Sequence, residues 1–281
     1  MIKCIDFPDQ QFATKEELHT ALRSNAEKII ALKTAEIYKS YQKGFAFDGF
    51  MLDRLPESEV GKIGPQMKDG FVYPVLSTTK YMDSHWDVHF DGVWDQSIKQ
   101  QAGKLHYVVD HELKIASVIA WPGDVKAMVK SVPWSWVGKE YEGNTEALIF
   151  EIPKSKLKNA AAKEAIEEKR PVQHSVRMAY VKIKLAINST AAENKEYKAY
   201  YDSRINEIAN KEEVEELGYF WGVEEAKIVK ECSMVLAGSN DATPIRQKLT
   251  EPANPATQPK IEPANPATQT KTTTFINPNL Y

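Results

Sequence analysis

Cysteine is scarce in this sequence of 281 residues, and long apolar runs are missing from it. The two cysteines, Cys4 and Cys232, are too few for a disulfide framework or a metal cluster and predict a reducing, cytoplasmic setting. No segment approaches the roughly 20 apolar residues that a membrane-spanning helix needs. The 36 basic residues nearly balance the 39 acidic ones, so no field attracts nucleic acid or an anionic membrane. We therefore expect neither nucleic acid nor a membrane among the partners.

The motifs of several common enzyme classes are also missing. The sequence has no Walker phosphate loop, no dinucleotide fingerprint and no His-Glu-x-x-His zinc motif. It lacks the Gly-x-Ser-x-Gly elbow, which argues against an α/β-hydrolase. His85 and His89 are four residues apart, but their strand-like surroundings favour a loop or sheet edge over a metal site. We predict no cofactor and no metal.

Three segments have the pattern of helices. The segment Thr14-Lys15-Glu16-Glu17 matches a capping box, and apolar residues then recur at helical spacing to about residue 40. Residues 154–169 are rich in lysine and alanine, which favours a second helix. Residues 191–217 predict one long helix that ends at Gly218, a residue suited to the C′ position.

Composition divides the chain into three parts. We expect an N-terminal helical extension and linker over residues 1–70 and a folded domain over residues 71–245, with the long helix 191–217 inserted in it. Residues 246–281 contain a proline-rich octapeptide that occurs twice, starting at Glu251 and at Glu262. Such a segment has too little apolar surface to offset its ordering entropy, so we expect the C-terminal tail to be disordered.

The stretch from Arg170 to Leu185 holds the first candidate residue. Pro171 ends the preceding helical run, and the odd positions after it form an apolar face with the period of two of a strand. This pattern places Ser175 near the start of the strand, on the apolar side. A single serine there is in most proteins a buried hydroxyl bonded to the backbone.

Two further ionisable groups lie at predicted strand ends. Leu105, Tyr107, Val109 and His111 alternate onto one face, so His111 closes the apolar side of a strand. Glu151 lies near the end of another strand, which Pro153 stops. A serine hydroxyl attacks only when a base takes its proton, an imidazole titrates in the right range, and a carboxylate can fix the tautomer of that imidazole.

Several short segments, taken in their order along the chain, resemble those of a known protein family. The segments are Asp83 to Asp87 with Gly92, Val109-Asp110-His111, His174-Ser175-Val176, and Glu231-Cys232-Ser233-Met234-Val235 followed by Asn240. In this order, over about residues 71–245, the chain resembles the prohead proteases of tailed bacteriophages. It is most similar to the branch found in phages of Bacteroidetes-type hosts, which has a helical insertion before the last strand.

The resemblance implies an α+β fold with a small antiparallel β-barrel of the herpesvirus-assemblin type, flanked by helices. It also implies a serine endopeptidase that cleaves capsid and scaffold proteins, and itself, while the procapsid matures. The expected location is then the host cytoplasm, inside the procapsid. Self-association is a further expectation.

The resemblance also assigns roles to individual residues. Ser175 is the expected nucleophile and His111 the general base, on neighbouring strands of one barrel. Glu151 is the preferred third member of the triad, with Glu146 and His174 as alternatives.

The chain departs from the family pattern just after Ser175. Arg177-Met178 replaces the Gly-aromatic pair often found there, so the backbone N–H that glycine would free for an oxyanion is in question. Arg177 is the candidate that would stabilise the oxyanion instead. A charged side chain solvated at the rim is the alternative interpretation of this arginine.

A different class of function remains open. The chain is alternatively an inactive or weakly active scaffolding protein built on a protease-like domain, since proline repeats and helices suit an assembly role. The presence of both His111 and Ser175 at the family's positions argues against a loss of activity.

Overall fold

The computed structural model describes residues 1–34, 37–38 and 67–246. The helices in these ranges are α1 (Lys15–Thr34), α2 (Asp95–Gln101), α3 (Ala160–Glu167), α4 (Lys195–Arg204) and α5 (Lys211–Leu217). The strands are β1 (Ile2–Cys4), β2 (Phe7–Phe12), β3 (Ile37–Tyr38), β4 (Phe71–Thr78), β5 (Asp87–His89), β6 (His106–Val109), β7 (Val118–Ala120), β8 (Lys126–Pro133), β9 (Asn144–Pro153), β10 (Gln173–Ile187), β11 (Tyr219–Val235) and β12 (Ile245–Arg246). Within the same ranges, none of the helices has both the length and the apolar content that crossing a membrane requires.

The strands form three separate sheets. The main sheet has the order β3-β10-β11-β6-β7, with β5 also paired to β11, and the second sheet has the order β12-β4-β9-β8. The third sheet is the hairpin of β1 and β2. The predicted α+β class is confirmed, but the strands of the described residues close no barrel.

The main core lies between the main sheet and the four-stranded sheet. Tyr107 on β6 packs edge-on against Phe150 on β9, with ring centroids 6.2 Å apart. Leu18 and Leu22 of α1 are fully buried in the same core. The N-terminal helix therefore contributes directly to the hydrophobic core, where buried apolar surface stabilises the fold.

The predicted cap of α1 is confirmed at Thr14, while Glu17 bonds the residue before the cap. The backbone N–H of Glu17 donates to Thr14 Oγ1 at 3.2 Å, and Glu17 Oε2 accepts from the N–H of Ala13 at 2.8 Å. The helix does not continue to residue 40, since Ile37–Tyr38 is a strand paired to β10.

The predicted long helix over residues 191–217 is instead two short helices, α4 and α5. Between them the Asn210 side chain accepts from the N–H of Met82 at 2.8 Å and donates to its carbonyl at 3.1 Å. These two bonds tie the chain to another segment at the point where a continuous helix would pass. Gly218 ends α5 in the left-handed region, with φ 81°, as predicted.

Strand β10 changes the face that it turns to the core. Val176, Met178 and Tyr180 are buried in its first half, whereas Ile183 and Leu185 are buried in its second half. Irregular pairing with β11 between Tyr180 and Ile183 causes the change, because an extra residue in a ladder reverses the alternation. The expectation that Ser175 shares the apolar face of the later residues is therefore wrong.

Two of the predicted segments fall largely or wholly outside the described residues. These are the linker that ends the N-terminal part and the disordered tail over residues 246–281, of which only Arg246 is described.

Candidate active site

His111 follows the end of β6 in a tight turn with unusual backbone angles. Asp110 and His111 both have positive φ, 50° and 58°, a region that residues other than glycine seldom adopt. The N–H of Asp110 donates to the carbonyl of Met234 on β11 at 3.0 Å. Strained residues of this kind persist where surrounding contacts hold them, and they concentrate at functional sites.

A buried carboxylate holds the imidazole of His111. Glu231 Oε1 on β11 lies 2.8 Å from His111 Nδ1, and the two side chains are 0% and 8% exposed. An ionised carboxylate only accepts hydrogen bonds, so Nδ1 carries the proton and Nε2 presents its lone pair. This is the tautomer that a general base needs.

Ser233 connects the carboxylate to the backbone of the histidine. Its hydroxyl donates to Glu231 Oε2 at 2.9 Å and accepts from the backbone N–H of His111 at 2.8 Å. Both oxygens of Glu231 are therefore bonded, which compensates for burying the carboxylate away from water. The same hydroxyl stabilises the turn in which His111 has positive φ.

A bulge in β11 sets the position of Glu231. Val176 pairs with Cys232 while Met178 pairs with Ile228, so three residues of β11 lie opposite Arg177 alone. Lys230 within this bulge has a φ of 67°. Bulges redirect side chains and are frequent next to active sites. Here Glu231, whose carboxylate contacts His111, is the last of the three residues in the bulge.

Ser175 lies on the same face of the sheet as this group. It is the cross-strand partner of Ser233, and directly opposed residues of an antiparallel pair point to the same side. His111 lies beyond β11, so the expectation that the two residues occupy neighbouring strands is wrong. Two strand spacings separate their strands by about 10 Å. Glu231 and Ser233 lie on the strand between them.

The structure places Glu151, the preferred third member of the triad, away from His111. Its carboxylate bonds Lys68 Nζ at 2.8 Å and the Tyr73 hydroxyl at 3.2 Å. Its neighbour Phe150 points into the main core against Tyr107, and successive residues of a strand face opposite sides. The acid that contacts His111 is Glu231, which corrects the assignment.

The two alternative third members have other partners as well. Glu146 Oε2 accepts the N–H of Gly92 at 2.6 Å. His174 is buried on the face of β10 opposite to Ser175, where Nδ1 donates to the carbonyl of Thr243 and Nε2 accepts from the Tyr107 hydroxyl, both at 2.8 Å. Both contacts of the His174 ring are structural.

Arg177 lies two residues after Ser175 and is half-buried. Residues two apart in a strand share a face, and its backbone is paired with Tyr38 of β3. Its role at an oxyanion stays a prediction.

A cysteine nucleophile is disfavoured at this site. Cys232 is fully buried on the core side of β11, and burial raises the pKa of its thiol well above the usual value. A thiol that stays protonated is a poor nucleophile.

Among the residues that the structure describes, no group of three or more histidine, cysteine, aspartate or glutamate side chains is arranged to hold a metal ion.

The buried state of His174 predicts an acid-sensitive fold. Burial lowers the pKa of His174 to about 4, so between this value and the ordinary one of about 6.5 the unfolded chain binds more protons than the folded chain. The contribution of His174 to stability is complete above about pH 6.5 and falls, by about 3 kcal/mol in total, as the pH approaches 4. Urea unfolding at several pH values, compared between the native chain and His174→Gln, measures the contribution of His174 to the free energy of unfolding. An identical pH dependence in the two proteins would contradict it.

Two of the candidate residues, Glu231 and Ser233, were not predicted from the sequence. Both lie in the segment that carries the resemblance, but no role was assigned to them. Their spacing of two residues in an apolar strand places both on one face. An acidic residue within a buried strand also needs a partner, and this was the available signal.

Comparison with known proteins adds no relative. No family profile, no curated protein and no solved structure matches this chain.

Proposed function

We propose that this chain is a serine endopeptidase in which Ser175 is the nucleophile, His111 the general base and Glu231 the acid that orients the base. The observation that carries the proposal is the contact of Glu231 Oε1 with His111 Nδ1 at 2.8 Å. Ser175 lies on the same face, opposite Ser233, which bonds to both of the other residues.

The proposed chemistry gives each of these three residues one role. His111 Nε2 takes the proton of the Ser175 hydroxyl while the oxygen attacks the carbonyl carbon of a peptide bond. Glu231 stabilises the imidazolium that forms, and His111 then gives the proton to the leaving amine. Arg177, on the same face as Ser175, is the proposed source of positive charge for the tetrahedral oxyanion. Water hydrolyses the acyl-enzyme in the second half of the reaction.

We extend the proposal to the substrates and the setting. The ordered segments around His111, Ser175 and Glu231 support capsid and scaffold proteins of a tailed phage as substrates, along with the chain itself. The setting would be the procapsid in the host cytoplasm, with self-association of the protease there. An assemblin-type origin of the fold is supported by two sheets packed around one core, although the described strands close no barrel.

A second candidate is the inactive or weakly active scaffolding protein. The observation that favours it is burial of the proposed machinery, with Ser175 4% exposed. A substrate carbonyl cannot reach the hydroxyl until what covers it moves away.

A fluorophosphonate probe tests the proposal directly, because it reacts with an activated serine. The Ser175 oxygen forms a bond to phosphorus, fluoride leaves, and the serine proton passes to the base. We expect peptide mass spectrometry to find the adduct on Ser175 in the native chain and to find far less of it in His111→Ala. Ser203→Ala, which removes an exposed serine on α4, should label like the native chain. An unlabelled Ser175 in folded native protein would favour the scaffolding function.

A further inference from the structure

The strand β3 pairs with β10 immediately beside Ser175. Tyr38 lies opposite Arg177 and Ile37 lies opposite Met178, in antiparallel register. β11 occupies the other side of β10, so β3 is added at the outer edge of the main sheet. Residue numbers rise along β3 as they fall along β10. From Ile37 to Tyr38, β3 therefore runs toward Ser175.

On the other side of Ser175, the same edge of β10 is occupied at His174 by the side chain of Thr243. The Thr243 hydroxyl accepts from the N–H of His174 and donates to its carbonyl, both at 3.2 Å. A side chain thus occupies the backbone groups of His174, while β3 pairs with Arg177 and Met178. The stretch of edge between them contains the proposed nucleophile.

An exposed strand edge binds extended polypeptide through its backbone N–H and carbonyl groups. This mode depends little on side chains, and it would present the backbone of a bound peptide to a serine on the edge strand. A protease needs such an extended substrate, because the carbonyl under attack must be reachable from one side.

We propose that the edge of β10 beside Ser175 is the binding edge for an extended peptide substrate, and that Ile37–Tyr38 of the same chain occupies this edge in competition with substrate. The inference rests on the proposed function, in which Ser175 is the nucleophile. Burial is consistent with it, since Ser175 is 4% exposed and the His111 side chain 8%. The structure is therefore in a state closed to substrate.

β3 begins close to the end of α1 in the sequence. α1 ends at Thr34, three residues before Ile37, and Lys33 beside it forms a buried ion pair with Asp87 at 2.7 Å. A segment on a short tether competes with a local concentration on the order of millimolar. This high local concentration lets β3 outcompete a dilute free peptide for the edge of β10. Releasing β3 should therefore strengthen the binding of a free peptide by at least about tenfold.

Binding measured in the full-length Ser175→Ala protein tests the inference without any hydrolysis. The probe is a fluorescent synthetic peptide with the sequence of residues 34–44 of this chain. Ile37→Pro is added to the protein, because proline lacks the N–H of a ladder residue and disfavours pairing. The matched control is Ile37→Val, which retains a β-branched side chain. Anisotropy titrations then compare the three proteins.

We expect the dissociation constant to fall at least about tenfold in Ile37→Pro and to stay unchanged in Ile37→Val. A probe peptide with proline in place of its isoleucine should not bind. Should Ile37→Pro fail to fold, Tyr38→Pro replaces it. Equal affinity with and without the proline in a folded protein would overturn the inference. If edge binding holds but the Ile37→Pro protein with Ser175 intact hydrolyses no peptide, the proposed function fails and the binding edge stands.

Discussion

The Ser175→Ala protein should neither hydrolyse peptides nor cleave itself, with kcat reduced by about 10⁴-fold to 10⁶-fold. The reason is that no other group takes the place of the nucleophile. Cys232 faces the core with a raised pKa, and Ser233 already bonds Glu231 and the backbone of His111. The melting temperature, measured beside the activity, checks that the variant folds.

The measurement is incubation of the purified proteins, with fragments followed by mass spectrometry. Ser203→Ala provides the matched control and should retain the native rate. Self-cleavage that persists in Ser175→Ala at the rate of the native chain would exclude Ser175 as the nucleophile.

The Glu231→Gln protein should fold but lose about 10⁴-fold in kcat, the loss seen when the orienting acid of a triad is replaced by its amide. The amide of glutamine can donate to His111 Nδ1. The ring proton would then lie on Nε2, where the base needs a lone pair. The shape of the side chain is retained, so the effect should appear in kcat far more than in KM.

Glu151→Gln provides the comparison that separates the two acids. It removes a carboxylate that pairs with Lys68 and Tyr73 and should leave kcat near the native value. Peptide hydrolysis by the two variants, measured beside their thermal unfolding, decides the assignment. Full activity of Glu231→Gln together with loss of activity in Glu151→Gln would return the role to Glu151.

Local features of the sequence predicted several elements correctly. Thr14 caps α1 as its spacing from Glu17 indicates, because a capping box involves only groups within one turn. Gly218 ends a helix for the same local reason, since the left-handed C′ position suits glycine. Alternation of apolar residues placed Ser175 at the start of a strand and His111 at the end of another. These predictions needed no knowledge of which strands pair.

The tertiary structure decided everything that depends on strand order and register. Glu151 and Glu231 are both buried acids on strands, and nothing local distinguishes them. The choice follows from β11 lying between β10 and β6, and from the bulge next to Lys230 that brings Glu231 to His111. The break in the predicted helix at Asn210 likewise depends on Met82, 128 residues away in the sequence.

The sequence by itself therefore determined the class of the fold, one end of each of two helices and two of the three residues of the candidate triad. It did not determine the acid, the face on which Ser175 lies or the pairing of Ile37–Tyr38 beside it. The physical reason is the range of the interactions. Capping and alternation act over a few neighbouring residues. Strand pairing joins residues that are far apart in the sequence, such as Tyr38 with Arg177 and His106 with Glu231, and a shift of one residue in register turns every side chain to the other face.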